Sequence, residues 1–179
     1  MVPDTARRYG TVSRTLHWGM ALLFAWMFFT AIVHAVAEKS ALDKQLFVTH
    51  KQVGSLLMVL VLVRAAWALA HRRQRPPELN AAALVGQVTI YVLMFAVPAV
   101  ALLRQYGSGR AFSPLGLPLM PGFDPSLKIQ WMVDAGHMLH ANLAWGLLAL
   151  VMGHAGMALL HRRHPGDDVL PRMIGQPAR

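Results

Sequence analysis

The sequence predicts an all-α integral membrane four-helix bundle with both termini in the cytoplasm, and three observations lead there. The 179 residues are 55% hydrophobic and only 14% charged, against about a quarter charged in an ordinary soluble domain. The apolar residues gather in four windows, each long enough for the ~20 helical residues that cross a bilayer. Lysine and arginine are divided unequally between the links, which sets the orientation of the chain.

The expected helices cover roughly 15–37, 48–70, 81–103 and 128–161 of a single membrane-embedded domain spanning 1–179. A soluble bundle is the poorer reading, because four such runs leave no polar faces for water. The first run ends in Ala35-Val36-Ala37, which looks like a signal-peptidase site. Its apolar stretch is much longer than the ~7–15 residues of a leader and contains His17 and His34, so it reads as a span. Pro98 should kink the third helix, which neighbouring helices tolerate in a membrane. The third link, 105–126, is rich in Gly and Pro and reads as a structured cap over the helix mouths. The tail should leave the membrane near Pro165.

Arg7, Arg8 and Arg14 precede the first span, Arg72, Arg73 and Arg75 join the second to the third, and Arg162, Arg163, Arg172 and Arg179 follow the fourth. The first link mixes Lys39, Lys44 and Lys51 with Glu38 and Asp43, and the long third link has only Arg104, Arg110 and Lys128. Both termini are therefore expected to face the cytoplasm, and the first and third links to face the other side, a periplasm. The net charge of +9 is explained by topology and by attraction to anionic lipid. The interleaved basic and aromatic pattern of a nucleic-acid groove is not seen. There is no cysteine, which removes disulfides, thiolate-held iron–sulfur clusters and covalent c-type haem.

Nine histidines are many for a membrane chain, where ionisable groups are costly and usually functional. His140 and His154 are fourteen apart, which is ~21 Å along a helix and only ~40° from a whole number of turns. They share one face at two depths, His140 outer and His154 inner. His17 opens the first helix on the inner side and His50 opens the second on the outer side. Pairs then form at two levels, His17 with His154 and His50 with His140. Two imidazoles facing across a gap supply the axial ligands of a six-coordinate haem, and a helical bundle is a suitable holder. A zinc ion would need a third or fourth ligand nearby. Small residues one turn after each histidine, Ala21, Gly54, Ala144 and Ala158, leave room for a flat macrocycle or for plain helix packing.

His137 is the rival outer ligand, but its seventeen-residue spacing to His154 leaves an offset of ~100°, so His140 is preferred. His34 reads as interfacial, and His71 and His164 as facing lipid head groups. His161, one heptad past His154, is either interfacial or part of a mouth beside the inner haem.

These residues resemble the bacterial cytochrome b561 family of small four-helix dihaem membrane proteins. The pieces that carry the likeness are RTLHW at 14–18, HKQVG at 50–54, QVTIYVLMFAVP at 87–98, FSPLGLPLMP at 112–121 and the run from His140 to His161. The resemblance implies two b-type haems with His17, His50, His140 and His154 as axial ligands to their irons. It also implies electron transfer between the periplasmic surface and the quinone pool of the respiratory chain. Some members are similar to superoxide oxidases, which pass an electron from superoxide to ubiquinone. Gln87 departs from the pattern, since many members carry a histidine there.

Two axial histidines leave no open iron position, so the expected chemistry is outer-sphere electron transfer. Lys51, Arg104, Arg110 and Lys128 could form a cationic mouth that steers superoxide, with Lys51 and Arg110 also placed to meet outer haem propionates. His161, Arg73 and Arg75 are the candidates for an inner quinone mouth. Three functions follow from these readings: a superoxide:ubiquinone oxidoreductase, a carrier relaying quinol electrons to a periplasmic protein, and a non-haem membrane subunit or transporter.

Overall fold

The computed structural model describes residues 1–163 and 168–176. Four long helices carry the architecture: α1 (Thr11–Val36), α2 (Ala41–Ala70), α3 (Ala81–Gly107) and α4 (Gln130–His161), followed by a short α5 (Leu170–Ile174). All four long helices are long and apolar enough to cross a membrane, and only 6–11% of their most hydropathic windows is buried inside the chain. Leu22, Val36 and Leu69 are 70% or more exposed. An outward face of that composition is suited to lipid, where the helix satisfies its own backbone groups.

Helix starts are set by caps rather than by hydropathy. Ser40 accepts the amide of Asp43, and Asn80 Oδ1 accepts the amide of Ala83 at 2.8 Å. α2 accordingly begins seven residues before the expected 48, taking Asp43 and Lys44 out of the link and into its first turns. α1 begins at Thr11 without a side-chain cap of its own. Buried Asp4 serves instead, accepting from the Gly10 amide and from Ser13 Oγ at 2.7 Å. α3 continues to Gly107 with Pro98 inside it.

α3 packs on α4, α1 on α2, and α2 on α3. The α3–α4 crossing is close because both helices offer glycine there. A Cβ at Gly107 would stand 2.5 Å from Met132 Cβ, and one at Gly136 would run into the Arg104 side chain. A single apolar core of Met20, Leu57, Val61, Met94, Val97 and Leu147 draws on all four helices. Leu147, 2% exposed, lies seven residues from both His140 and His154, so the core fills the space between those two levels.

The third link folds as a cap. An isolated bridge between Phe112 and Met120 closes a loop that holds one 3-10 turn, Pro114–Gly116, and a second turn, Pro125–Leu127, follows it. It lies against α2, where Leu115 donates its amide to Gln52 Oε1. At the opposite end the chain termini are tied together. Tyr9 donates its amide to Arg172 O at 3.1 Å, Arg14 donates to Ile174 O at 3.0 Å, and Trp18 Nε1 donates to Met173 O at 3.0 Å. His164, Pro165 and Arg179 lie outside the described residues.

Candidate functional site

α1 and α2 each deliver one histidine to α4, which carries two. His50 sits nine residues into α2 and His140 ten into α4, and the two helices run in the same direction, so these similar offsets bring them to one depth. Their ring centres are 6.4 Å apart with planes at 78°. His17 sits six residues into α1, and His154 seven before the end of α4. Their ring centres are 6.3 Å apart with planes at 67°. One metal ion held between two imidazoles sets the ring centres about 6 Å apart, from bonds of about 2.0–2.1 Å and roughly 1 Å from each nitrogen to its ring centre. Both pairs have that separation. Among the described residues no third His, Cys, Asp or Glu joins either pair.

Hydrogen bonds orient the outer pair. Thr30, 1% exposed, donates its hydroxyl hydrogen to Met27 O at 2.8 Å and so accepts from His50 Nδ1, also at 2.8 Å. His140 Nδ1 donates to Val97 O at 2.9 Å. In both rings the proton is on Nδ1, which leaves the Nε2 lone pair for a metal. The inner pair differs, because the Arg64 guanidinium donates to His17 Nδ1 at 2.9 Å. His137 is exposed and makes no ring contact with His50; His140 faces it.

A family model described as prokaryotic cytochrome b561 matches residues 8–176, which take in all four long helices. The chain belongs to the prokaryotic cytochrome b561 family. It is similar to Cytochrome b561 homolog 2 of Escherichia coli strain K12, 29% identical over 97% of this chain and 94% of the relative. It is also similar to homolog 1 of that strain, 28% identical over 93% and 97%, respectively. A third relative is the Probable superoxide oxidase CybB of Yersinia pestis, 24% identical over 94% of this chain and 96% of that one. Membership makes the chain a membrane electron carrier and implies a haem b cofactor.

In this b561 family member the outer pair lies beside a groove of about 380 Å³ between α2 and the cap, lined among others by Lys44, Phe47, Lys51, Phe112 and Ser113. Lys51 is exposed there, and Arg110 is exposed one residue before the lining Ala111. Arg104 is instead packed by its stem on Gly136 at the α3–α4 crossing. A ladder of rings leads inward, His34 stacked on Phe47 at 4.3 Å and Phe47 on His50 at 5.1 Å. His34 is anchored by Asp43 at 2.9 Å.

At the inner level Arg73 is exposed, His161 ends α4 half-buried, and Arg75 lies over the Tyr9 ring at 5.1 Å. Burial pushes the Tyr9 phenol up from its ordinary pKa against the pull of Arg75. His71, half-exposed at the end of α2, stacks on Trp67 at 3.8 Å and bonds the Trp67 carbonyl one turn back. Gly54, expected to make room beside a ligand, has the Met27 methyl next to it, 3.2 Å from where a Cβ would stand. Arg64 and Thr30 are site residues not expected from the sequence. Arg64 had a signal, since it follows His50 by the same fourteen residues that separate His140 from His154.

Proposed function

We propose that the chain is a dihaem b-type cytochrome of the bacterial inner membrane that oxidises superoxide on the periplasmic side and reduces ubiquinone. The observation that carries this reading is the meeting of four histidines as two pairs, each at the spacing of one shared metal ion, at two levels of one bundle. His17 and His154 serve the inner haem, and His50 and His140 the outer one. Bound haem supplies a reversible one-electron couple at each level. Thr30 and Val97 O fix the outer rings in the ligating tautomer, and Leu147 keeps the space between the levels dry.

Lys51 and Arg110 are exposed cations beside the outer pair, suited to steering a small anion. Two superoxide ions each lose one electron and leave as dioxygen, while one ubiquinone gains two electrons and two protons. The relative from Yersinia pestis, by its name, supports superoxide as the donor.

The test is pyridine haemochrome analysis of the pure protein, followed by stopped-flow mixing with superoxide. Two haems per chain, with haem reduction faster than superoxide dismutase removes the anion, is the expected result. Two haems without that reduction would favour relay of quinol electrons to a periplasmic protein. A colourless protein would end the haem reading.

A further inference from the structure

Arg64 follows His50 by fourteen residues, so it lies ~21 Å further along α2 and about 40° round from it. α2 therefore puts a guanidinium at the inner level, where α4 puts an imidazole. The group points into the bundle: it donates to His17 Nδ1 at 2.9 Å and lies 5.4 Å from the centre of the Tyr91 ring. Tyr91 Oη is buried with no hydrogen-bond partner. Arg75, over Tyr9 at 5.1 Å, has its Nε buried and equally unpartnered. Among the described residues the ion pairs are His34–Asp43 and Lys39–Glu38, so Arg64 and Arg75 meet no carboxylate. A cation inside an apolar span without a counter-ion, as Arg64 is, is expensive, and buried phenol and guanidinium groups such as Tyr91 Oη and Arg75 Nε need partners.

We propose that Arg64, with Tyr91 and Arg75 around it, binds the propionate carboxylates of the inner haem. This rests on the haem reading above. The hydrogen bond to His17 points the same way. To ligate iron through Nε2 as a neutral imidazole, His17 carries its proton on Nδ1, and a guanidinium has only donors. Arg64 then turns to an acceptor beside the ring, and its planar fork fits a carboxylate bidentately. A phospholipid phosphate offers similar oxygens. The propionate is favoured because Arg64 faces His17 and Tyr91 rather than the lipid side of α2.

The experiment is potentiometric titration of the pure protein, with lipid phosphorus and the redox-difference infrared spectrum measured on the same samples. His154→Ala removes the inner haem and so identifies its midpoint potential. In Arg64→Gln the inner potential should move negative, because a nearby cation favours the reduced iron, while the outer potential stays. The propionate carboxylate stretch should shift with it. Tyr91→Phe should shift the inner potential in the same direction by less, and Arg64→Lys should recover part of the potential without the bidentate band. Unchanged potentials and carboxylate bands in Arg64→Gln and Tyr91→Phe, with both haems retained, overturn the proposal. So does loss of bound phospholipid from Arg64→Gln at unchanged potentials, which assigns the site to lipid. If Arg64→Gln fails to fold, unchanged potentials in Tyr91→Phe and Arg64→Lys overturn it alone. A wild-type protein without haem removes the haem reading and this proposal together, which separates that failure from all the others.

Discussion

His140 and His137 are one helical turn apart on α4, and only one of them faces His50. His140→Ala should therefore remove one of two haems, and His137→Ala should keep both; pyridine haemochrome counts them. The opposite pattern would move the outer site to the other face of α4. Thr30 makes a finer test. Its hydroxyl accepts from His50 Nδ1 while its own hydrogen goes to Met27 O. Thr30→Val keeps the shape and removes the acceptor. The freed imidazole becomes a weaker, less fixed ligand, and such outer partners are typically worth about 10–100-fold in metal affinity. The outer midpoint potential should move positive and the outer haem should be lost more readily, with the inner haem unaffected. An unchanged outer potential would show that Thr30 only packs. The histidines were legible as residues because their spacing converts directly into depth and angle. Thr30 was not, since its role depends on α1 and α2 facing each other with His50 one ring away.

The turn between α1 and α2 shows what hydropathy leaves out at the scale of an element. Asp43 is buried at 5% exposure, and it accepts from His34 Nδ1 and from the Lys39 amide, both at 2.9 Å. Lys39 itself has φ of 66°, a left-handed conformation that only a few residue types adopt easily. One carboxylate thus fixes the end of α1, the turn and the start of α2. Read by apolar content, Lys39, Asp43 and Lys44 are link residues, and the expected helix starts at 48. Read by capping, Ser40 begins the helix. Asp43→Asn keeps the size and halves the accepting capacity, so it should lower stability, because one of the His34 and Lys39 hydrogen bonds loses its charged acceptor. Thermal unfolding in detergent, followed by helical circular dichroism, measures it. A change within error would mean that the turn is held by Ser40 alone. The four spans themselves were legible because each is apolar over a length that nothing soluble needs, while the cap from 105 to 126 was legible only as composition. Its fold depends on a contact with Gln52 that no local pattern encodes.

For the whole molecule, the direction of electron flow depends on which end faces the cytoplasm. The chain ends are tied to each other at one end of the bundle, through Tyr9 to Arg172 and Arg14 to Ile174. Both termini are therefore on one side, together with the arginine-rich link that carries Arg72, Arg73 and Arg75. The cap and the groove beside His50 are at the other end. Basic links favour the cytoplasmic side, so the arginine-rich end is expected inside. The sequence contains no cysteine, so single introduced thiols report topology without background. Ser113 in the cap and Gln74 in the arginine-rich link are both exposed. Ser113→Cys should react with a membrane-impermeant maleimide in cells whose outer membrane alone has been opened. Gln74→Cys should react only after the inner membrane is broken. The reversed result would put His17, His154 and Arg64 on the periplasmic side. Superoxide would then have to enter at the inner pair, and the groove beside His50 would open to the cytoplasm, where it could not serve a periplasmic donor.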